Sequence, residues 1–330
     1  MTLLYRHRAN KRTMLASLKA MFVSLVFVVP MPSHNHATTT TTTTVSPIDG
    51  NNNNPTIDLN ALKFRATHHH DDSCHAPSPL LLLVMIHSAP ANSDKRNVIR
   101  KTWGQRRPEV VVYFVLGRSD EYASRLDREN RRHKDLIQGS FEDTYRNLTY
   151  KHVSTLKWIT QHCSSAKYIL KTDDDVFVHT QALLDFLRDP DLIDGHDEPV
   201  ILCSQPSSLR VLRSWRSKWH TTPHEYKDKY YPPYCLGWSV LYSAEAARRL
   251  YEAAAGEAFF WIDDVFVTGI LAKKIGARPQ RMAGLVTSKR DLSRIIDDSR
   301  AVKRHILFPP DLSIDRIKTL HCIVTSVDDD

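Results

Sequence analysis

None of the five cysteines, Cys74, Cys163, Cys203, Cys235 and Cys322, stands in a CxxC pair, so no thiolate metal site is written into this chain. Nor is there a recognised nucleic-acid-reading module to go with the net charge of +8. Five of those charges, Arg6, Arg8, Lys11, Arg12 and Lys19, fall in a leading stretch without acids, leaving about +3 for the rest of the chain. That is an ordinary mildly basic surface, and no nucleic-acid partner is expected. No apolar run reaches the ~20 residues of an unambiguous membrane span. The one candidate, Met14 to Met31, is broken by Ser17, Lys19 and Ser24, and its unbroken part is Ala20 to Val29. A clear small-x-small cleavage site after Pro30 is also missing. The segment therefore reads as an uncleaved signal-anchor with its basic end in the cytoplasm, a cleaved signal peptide being the alternative. In either case the rest of the chain enters the secretory pathway, where five cysteines make up to two disulfides and one odd thiol.

The chain divides into a cytoplasmic tail (1–13), the signal-anchor (14–32), a flexible stem (33–79) and one folded domain (80–330). The stem carries Thr38 to Thr44, Asn51 to Asn54 and His68 to His70 followed by Asp71 and Asp72. Such a composition buries too little apolar surface to offset its ordering entropy. The threonine run is a candidate for O-linked sugars, or simply a spacer. The histidines with Asp71 and Asp72 read as a polar tract before a weak metal site.

From Leu80 the pattern changes. Leu80 to Ile86 is a continuous apolar run, as for a strand covered on both faces. Ser93 or Asp94 caps a helix bearing Val98, Ile99 and Trp103, with Gly104 at its end. Val110 to Leu116 is a second buried strand, followed by a charged helix over about 120–134. An amphipathic helix over about 144–161 and a third strand, Tyr168 to Leu170, come next. Alternating strands and helices of this kind predict an α/β domain with a mostly parallel sheet flanked by helices. Ligands of such sheets sit beyond the carboxyl ends of the strands.

Asp173, Asp174 and Asp175 stand at such an end. Adjacent carboxylates repel one another unless a cation joins them, and oxygen ligands at i and i+2 suit a hard divalent ion. The ion would grip the phosphates of a nucleotide diphosphate; a solvated acidic turn is the plainer alternative. A second pair, Asp263-Asp264, lies between Phe259-Phe260-Trp261-Ile262 and Val265-Phe266-Val267. Apolar flanks raise a carboxyl pKa, which suits a general base; Asp263 as the N-cap of the following helix explains the pair equally well. Between the clusters, Lys229 to Ser243 is a Pro- and Gly-stiffened loop rich in aromatics, able to stack on sugars or to fill the core. Arg96 and Arg100 share a helix face and could meet phosphate or uracil, though such residues more often form surface ion pairs.

Five segments in order, Arg96-Asn-Val-Ile-Arg-Lys-Thr-Trp-Gly104, Phe141 to Lys151, Tyr168 to Val178, Tyr231-Pro-Pro-Tyr-Cys-Leu-Gly237, and Asp263-Asp-Val265 with Gly269, resemble the β-1,3-galactosyltransferase and N-acetylglucosaminyltransferase family, glycosyltransferase family 31. The resemblance covers about residues 80–310. It implies a GT-A-type fold, a UDP-sugar donor, a Mn²⁺ (or Mg²⁺) ion and inversion at the anomeric carbon, in a single-pass type II Golgi membrane enzyme. It implies the transfer of galactose or an N-acetylhexosamine, in β-1,3 linkage, to a glycan of a glycoprotein, glycolipid or proteoglycan. By position, Asp264 is the base, with Asp263 beside it, and Asp173 and Asp175 serve the metal with His305, His321 being the alternative. Arg96, Arg100, Asp143, Lys171 and Asp174 are assigned to the donor, and Tyr231, Tyr234, Gly237 and Trp238 to the acceptor or sugar. Asn147-Leu-Thr149 is a glycosylation sequon inside a family motif, where packing is its first role. Asp263 replaces the family's usual Glu, and Gly237-Trp-Ser-Val240 replaces Gly-x-Gly-Tyr. Other readings of the scaffold are a non-catalytic lumenal chaperone and a metal-dependent hydrolase that transfers sugar to water.

Overall fold

The computed structural model describes residues 55–65, 74, 80–189, 198–204, 208–286 and 288–326. Its centre is β1 (Leu82–His87), in which all six residues are buried. Alternate side chains serve two faces: Leu83 and Met85 join one apolar cluster, and Leu82, Val84 and Ile86 join the other. That two-sided burial explains the unbroken apolar run. A mixed α/β architecture results, with a seven-stranded sheet in the order β3-β2-β1-β4-β6-β5-β7.

The strands are β2 (Val110–Arg118), β3 (Leu136–Glu142), β4 (Tyr168–Asp173), β5 (Ile201–Cys203), β6 (Ser239–Ser243) and β7 (Gln280–Arg281). β1 pairs in parallel with β2 and β4, β2 with β3, and β5 with β7, whereas β6 runs antiparallel to β4 and β5. β3 was not expected. Its sequence, LIQGSFE, alternates weakly, and only its first residues are firmly buried.

The chain runs β1, β2, β3 outward on one side and then crosses back to lay β4 on the other. The order therefore reverses between β1 and β4, and the register sets His87 opposite Asp173 there. Helices α1 (Ser93–Lys101), α2 (Ala123–His133), α3 (Leu148–His162), α4 (Thr180–Arg188) and α5 (Ala244–Ala254) connect or cover the strands. A π-helical stretch, Val265–Leu271, runs on into α6 (Ala272–Lys274). Three helices close the carboxyl-terminal part: α7 (Lys289–Ile295), α8 (Ser299–Lys303) and α9 (Ile314–Thr325). The helix expected over 144–161 begins as a 3₁₀ turn, Tyr145–Asn147, before α3 proper. The expected cap at Ser93 or Asp94 moves one position, to Asn92.

Disulfides join Cys74 to Cys163 and Cys203 to Cys235, and Cys322 is free and exposed. The flexible-stem reading of 33–79 fails over 55–65 and at Cys74. Ile57 and Leu62 are buried in the domain, Leu59 and Phe64 pack on it, and Lys157 Nζ donates to the carbonyls of Leu59 and Leu62. Backbone bonds from Ile57 to Glu257 and from Arg65 to Gln138 stitch the segment down. Four apolar residues spaced through polar neighbours gave it enough to bury. The membrane candidate at 14–32, the threonine run and the His68–His70 tract lie outside the described residues. Among the described residues no helix is long and apolar enough to cross a membrane.

Candidate active site

The aspartate triplet begins on the last residue of β4, where the parallel strands of the sheet end. Asp173 donates its backbone N–H to the Trp238 carbonyl (3.1 Å), which also accepts from Thr172 Oγ1 (3.0 Å). Its carboxylate, 38% exposed, accepts from Lys171 Nζ at 2.9 Å. Burial nevertheless pushes the Asp173 pKa up to about 6, because Lys171 offsets only part of it and Asp263 and Asp175 add repulsion. Asp174 turns inward and accepts from Ser88 Oγ (2.8 Å), Asn92 Nδ2 (2.8 Å) and Lys95 Nζ (3.1 Å). Asp175 stays partly open, 3.6 Å from Lys95 Nζ. Burial raises its pKa against the pull of Lys95, and the backbone of Asp311 hydrogen-bonds it.

The second acidic pair stands at the start of the π-helical stretch. Asp264 accepts from the backbone N–H groups of Val265 (2.8 Å) and Gly237 (3.1 Å). Asp264, not Asp263, thus accepts the first N–H of the π-helical stretch. Its contact with Gly237 is close: a Cβ at 237 would lie 3.1 Å from Asp264 Cβ, a tight approach. Asp263 instead pairs with His152 Nδ1 at 3.0 Å, and His152 Nε2 meets the Tyr242 hydroxyl at 3.1 Å. Burial lowers the His152 pKa, so the ring is neutral, donating Nδ1–H to Asp263 and accepting from Tyr242. The two carboxyls separate in consequence. Burial opposes the charge on Asp263, but His152 and Lys171 outweigh it and lower its pKa. Burial and the neighbouring Asp263 push Asp264 up to about 7.

Gly237 joins the two clusters. Its N–H serves Asp264, and its carbonyl accepts from Lys171 Nζ, whose other bond is to Asp173. Burial disfavours the Lys171 charge, yet Asp173, Asp263 and Asp264 together raise its pKa.

Several expected site residues take other roles. Arg96 is fully buried; it binds Glu129 through Nε and Nη2 and the Ser88–Pro90 turn through Ser88 Oγ and two carbonyls. Arg100 is spent on Glu129, Asp135 and Asn97. With both forks filled, neither arginine is free for a phosphate; Arg96 supports the site by fixing Ser88, which holds Asp174. Asp143 accepts from Gly117 N–H (2.6 Å) and from the buried Lys151 Nζ (2.8 Å). Lys151 also donates to the Ser88 carbonyl, so Asp143 acts on the site through the same turn.

Tyr231, Tyr234 and Trp238 are 5%, 6% and 8% exposed, and these rings fill the core rather than offering faces to a sugar. Tyr231 packs on Tyr226, Tyr234 and Phe260, with its hydroxyl on Thr221 Oγ1. Of the expected acceptor set, Gly237 hydrogen-bonds the Asp264 carboxylate.

His305 fails as a metal ligand for reasons of register. The segment after α8 lies antiparallel to 175–179: His179 N–H meets the Ile306 carbonyl, Phe308 N–H meets Phe177, and Leu312 N–H meets Asp175. The residues beside Asp175 are thus Asp311 and Leu312, with His305 about six residues, or roughly 20 Å of extended chain, further on. Its Nδ1 is bound to the Ala301 carbonyl (2.6 Å). His321 sits on α9, among whose side chains Ile317 and Leu320 are buried, and the nearby charge felt by its ring is Arg107. Among the described residues no three His, Cys, Asp or Glu side chains form a metal-holding group. Asn147 Nδ2 donates to the Glu142 carbonyl, and Thr149 Oγ1, fully buried, donates to Phe260, which builds the sequon into the start of α3.

Sequence reasoning missed Ser88, Asn92, Lys95, Lys151 and His152. The signal for the last two was polarity on the face of α3 that carries Val153, Leu156 and Ile159.

A family model described as Galactosyltransferase matches residues 94–283. Among curated proteins, the chain is 36% identical to lactosylceramide 1,3-N-acetyl-beta-D-glucosaminyltransferase of Xenopus tropicalis, over 67% of this chain and 61% of that protein. It is 34% identical to acetylgalactosaminyl-O-glycosyl-glycoprotein beta-1,3-N-acetylglucosaminyltransferase of Mus musculus, over 64% and 56%. To human UDP-GalNAc:beta-1,3-N-acetylgalactosaminyltransferase 1 it is 32% identical, over 62% and 63%. The chain thus spans less than two thirds of the length of each of these relatives. With the triplet, the second acidic pair and Gly237 all inside the matched residues, this chain belongs to the galactosyltransferase family.

Proposed function

We infer that the protein is an inverting hexosyltransferase. It moves galactose or an N-acetylhexosamine from a UDP-sugar to a glycan hydroxyl, in β-1,3 linkage, on a GT-A-type scaffold. The observation that carries this is Asp264: a carboxylate held by two backbone N–H groups, with a pKa pushed up to about 7, linked through Gly237 and Lys171 to the aspartate triplet. A base of that pKa is ionised in part near neutrality and still takes a proton readily. Asp264 receives the acceptor hydroxyl's proton as that oxygen attacks the anomeric carbon from the face opposite the UDP. His152 keeps Asp263 ionised, and that charge holds Asp264 basic. Lys171 ties Asp173 to the same backbone residue that fixes the base, so donor and acceptor sides share one support. Asp174, closed off by Ser88, Asn92 and Lys95, acts as a positioning residue and not as a donor contact.

Asp173 and Asp175 fit a Mn²⁺ or Mg²⁺ ion. Their carboxylates are partly exposed and have raised pKa values, and such ions take one or two protein carboxylates together with substrate phosphates. Bound there, the ion would neutralise charge developing on the departing diphosphate. The relatives, which include glycolipid and glycoprotein β-1,3-transferases, favour the linkage and leave glycolipid, glycoprotein and proteoglycan acceptors in view. Residues 14–32 are proposed as the type II anchor that holds the domain in the Golgi lumen. A non-catalytic chaperone on this scaffold is disfavoured by the intact triplet and base.

The test is UDP release across a panel of UDP-sugars and acceptor glycosides with Mn²⁺. Acceptor-dependent release from one donor supports the reading and names the sugar. Release without an acceptor points to the hydrolase; a folded protein that binds neither UDP nor Mn²⁺ points to the chaperone.

A further inference from the structure

Among the described residues only seven large hydrophobic side chains are exposed, and six of them lie in one segment: Leu209, Leu212, Trp215, Trp219, Tyr230 and Leu236. The seventh, Tyr145, is hydrogen-bonded by Trp219, and its hydroxyl feels the charges of Asp263 and Asp264. Six of the seven thus share one segment, and the seventh ties its Trp219 to the neighbourhood of the proposed base. Clustered apolar exposure of this kind marks an interaction surface.

The segment is held rather than frayed. Val211 is buried, Arg210 pairs with Tyr230, and the Cys203–Cys235 disulfide clamps the base of the loop. Arg213 donates to the carbonyls of Thr221, Tyr226 and Asp228 across its middle. The fold thus presents Trp215, 77% exposed, on a braced support.

Its charge is one-sided. Between 208 and 230 the exposed ions are Arg210, Arg213, Arg216, Lys218, Lys227 and Lys229 against Asp228 alone, Glu225 being half-buried on Thr222. The cations stand over the aromatic rings: Arg216 over Trp215 at 5.1 Å, Lys218 over Trp219 at 4.3 Å, Lys229 over Tyr230 at 5.8 Å. Tryptophan and tyrosine at headgroup level, aliphatic side chains beside them, and Arg or Lys reaching for phosphate are what a lipid–water interface selects. A soluble anionic glycan would use the cations and rings but leave Leu209 and Leu212 without a partner.

We propose that the 208–236 segment docks on an anionic lipid surface, with Trp215 and Leu212 entering the headgroup region. Through Tyr145, the Trp219 end of the segment lies by Asp263 and Asp264, so docking would bring the proposed base near the lipid and favour an acceptor presented from it. That consequence rests on the transferase reading, whereas the docking does not.

The full chain suits the test, because its six tryptophans all lie between 103 and 261 and none lies in the apolar amino-terminal segment. It is reconstituted in vesicles of phosphatidylcholine and phosphatidylserine whose acyl chains are brominated, and tryptophan emission is read. The wild type should be quenched, with about half or more of the quenching lost in Trp215→Phe, a substitution that leaves the core untouched. Arg216→Gln and Lys218→Gln should each weaken the docked population about fivefold, as expected for the loss of one near-surface cation. Absence of quenching in the wild type would overturn the proposal. So would quenching that survives in the Trp215→Phe, Trp219→Phe double variant, or an emission change seen only with a soluble sulfated glycan. Docking in a protein that releases no UDP would leave the surface standing and remove the transferase reading.

Discussion

Asp174 and Asp264 each stand next to another aspartate in the chain, and each is largely enclosed, but their surroundings differ. Asp174 has a serine, an asparagine and a lysine as donors, and its oxygens are spent. Asp264 has two backbone N–H groups, an ionised neighbour in Asp263, and no ion-pair partner among the described residues. The first carboxylate is a structural anchor that holds Lys95 and the turn after β1. The second is left short of compensation, which makes it basic. A carboxylate's role here is set by which donors reach it, and adjacency in sequence says little about that.

The contrast can be broken by mutation. Asp264→Asn keeps an acceptor oxygen for one of the two backbone N–H groups, turns its amide toward the other, and cannot take a proton, so transfer should fall about 10²–10⁴-fold with donor binding retained. A variant keeping more than about a tenth of normal transfer would show that another group is the base. Asp175→Asn should cost about 10²-fold or more and flatten the response to Mn²⁺ titration, because an open carboxylate is removed from the ion's side. Chelated wild type restored by Mn²⁺ is the matching control. His152→Ala leaves Asp263 buried without its donor, at a cost of about 1–3 kcal/mol in stability by denaturant melt. It should also protonate Asp263 more readily and so relieve Asp264. The low-pH limb of kcat/KM, near 7 in the wild type, should then shift downward, with activity in both proteins falling as pH drops because the base must be ionised. The smallest effect belongs to Lys95→Met. Losing that cation beside Asp174 and Asp175 should lower the Mn²⁺ needed for half-maximal rate by about fivefold.

Much of the frame was legible in the chain. Leu80 to Ile86 and Tyr168 to Leu170 read as buried strands because two covered faces force continuous apolar runs, and the triplet fell at a strand's carboxyl end as the parallel-sheet rule requires. Both acidic clusters and the glycine between them were legible too. Contacts over long separations were not. His152 meets Asp263 across 111 positions, and Arg96 meets Glu129 across 33. No local period encodes either pair, so Arg96 looked like a phosphate ligand and His152 like part of an amphipathic helix. His305 was placed by distance along the chain, but the antiparallel pairing of 306–312 with 175–179 is what decides its position. Tyr231, Tyr234 and Trp238 could be surface or core by composition alone, and packing settled them as core, whereas Tyr230 beside them stays exposed. The 55–65 segment was hidden by its polar flanks.

The most direct check on the splitting of Asp263 and Asp264 is a carboxyl-carbon NMR titration of aspartate-labelled protein, assigned by comparison with Asp264→Asn. The account predicts one resonance titrating near 7 that is missing from the variant, with Asp263 titrating below the ordinary aspartate value of about 3.9. A high-pH titration that persists in Asp264→Asn, with Asp264 itself ionising near 4, would contradict it and move the base elsewhere.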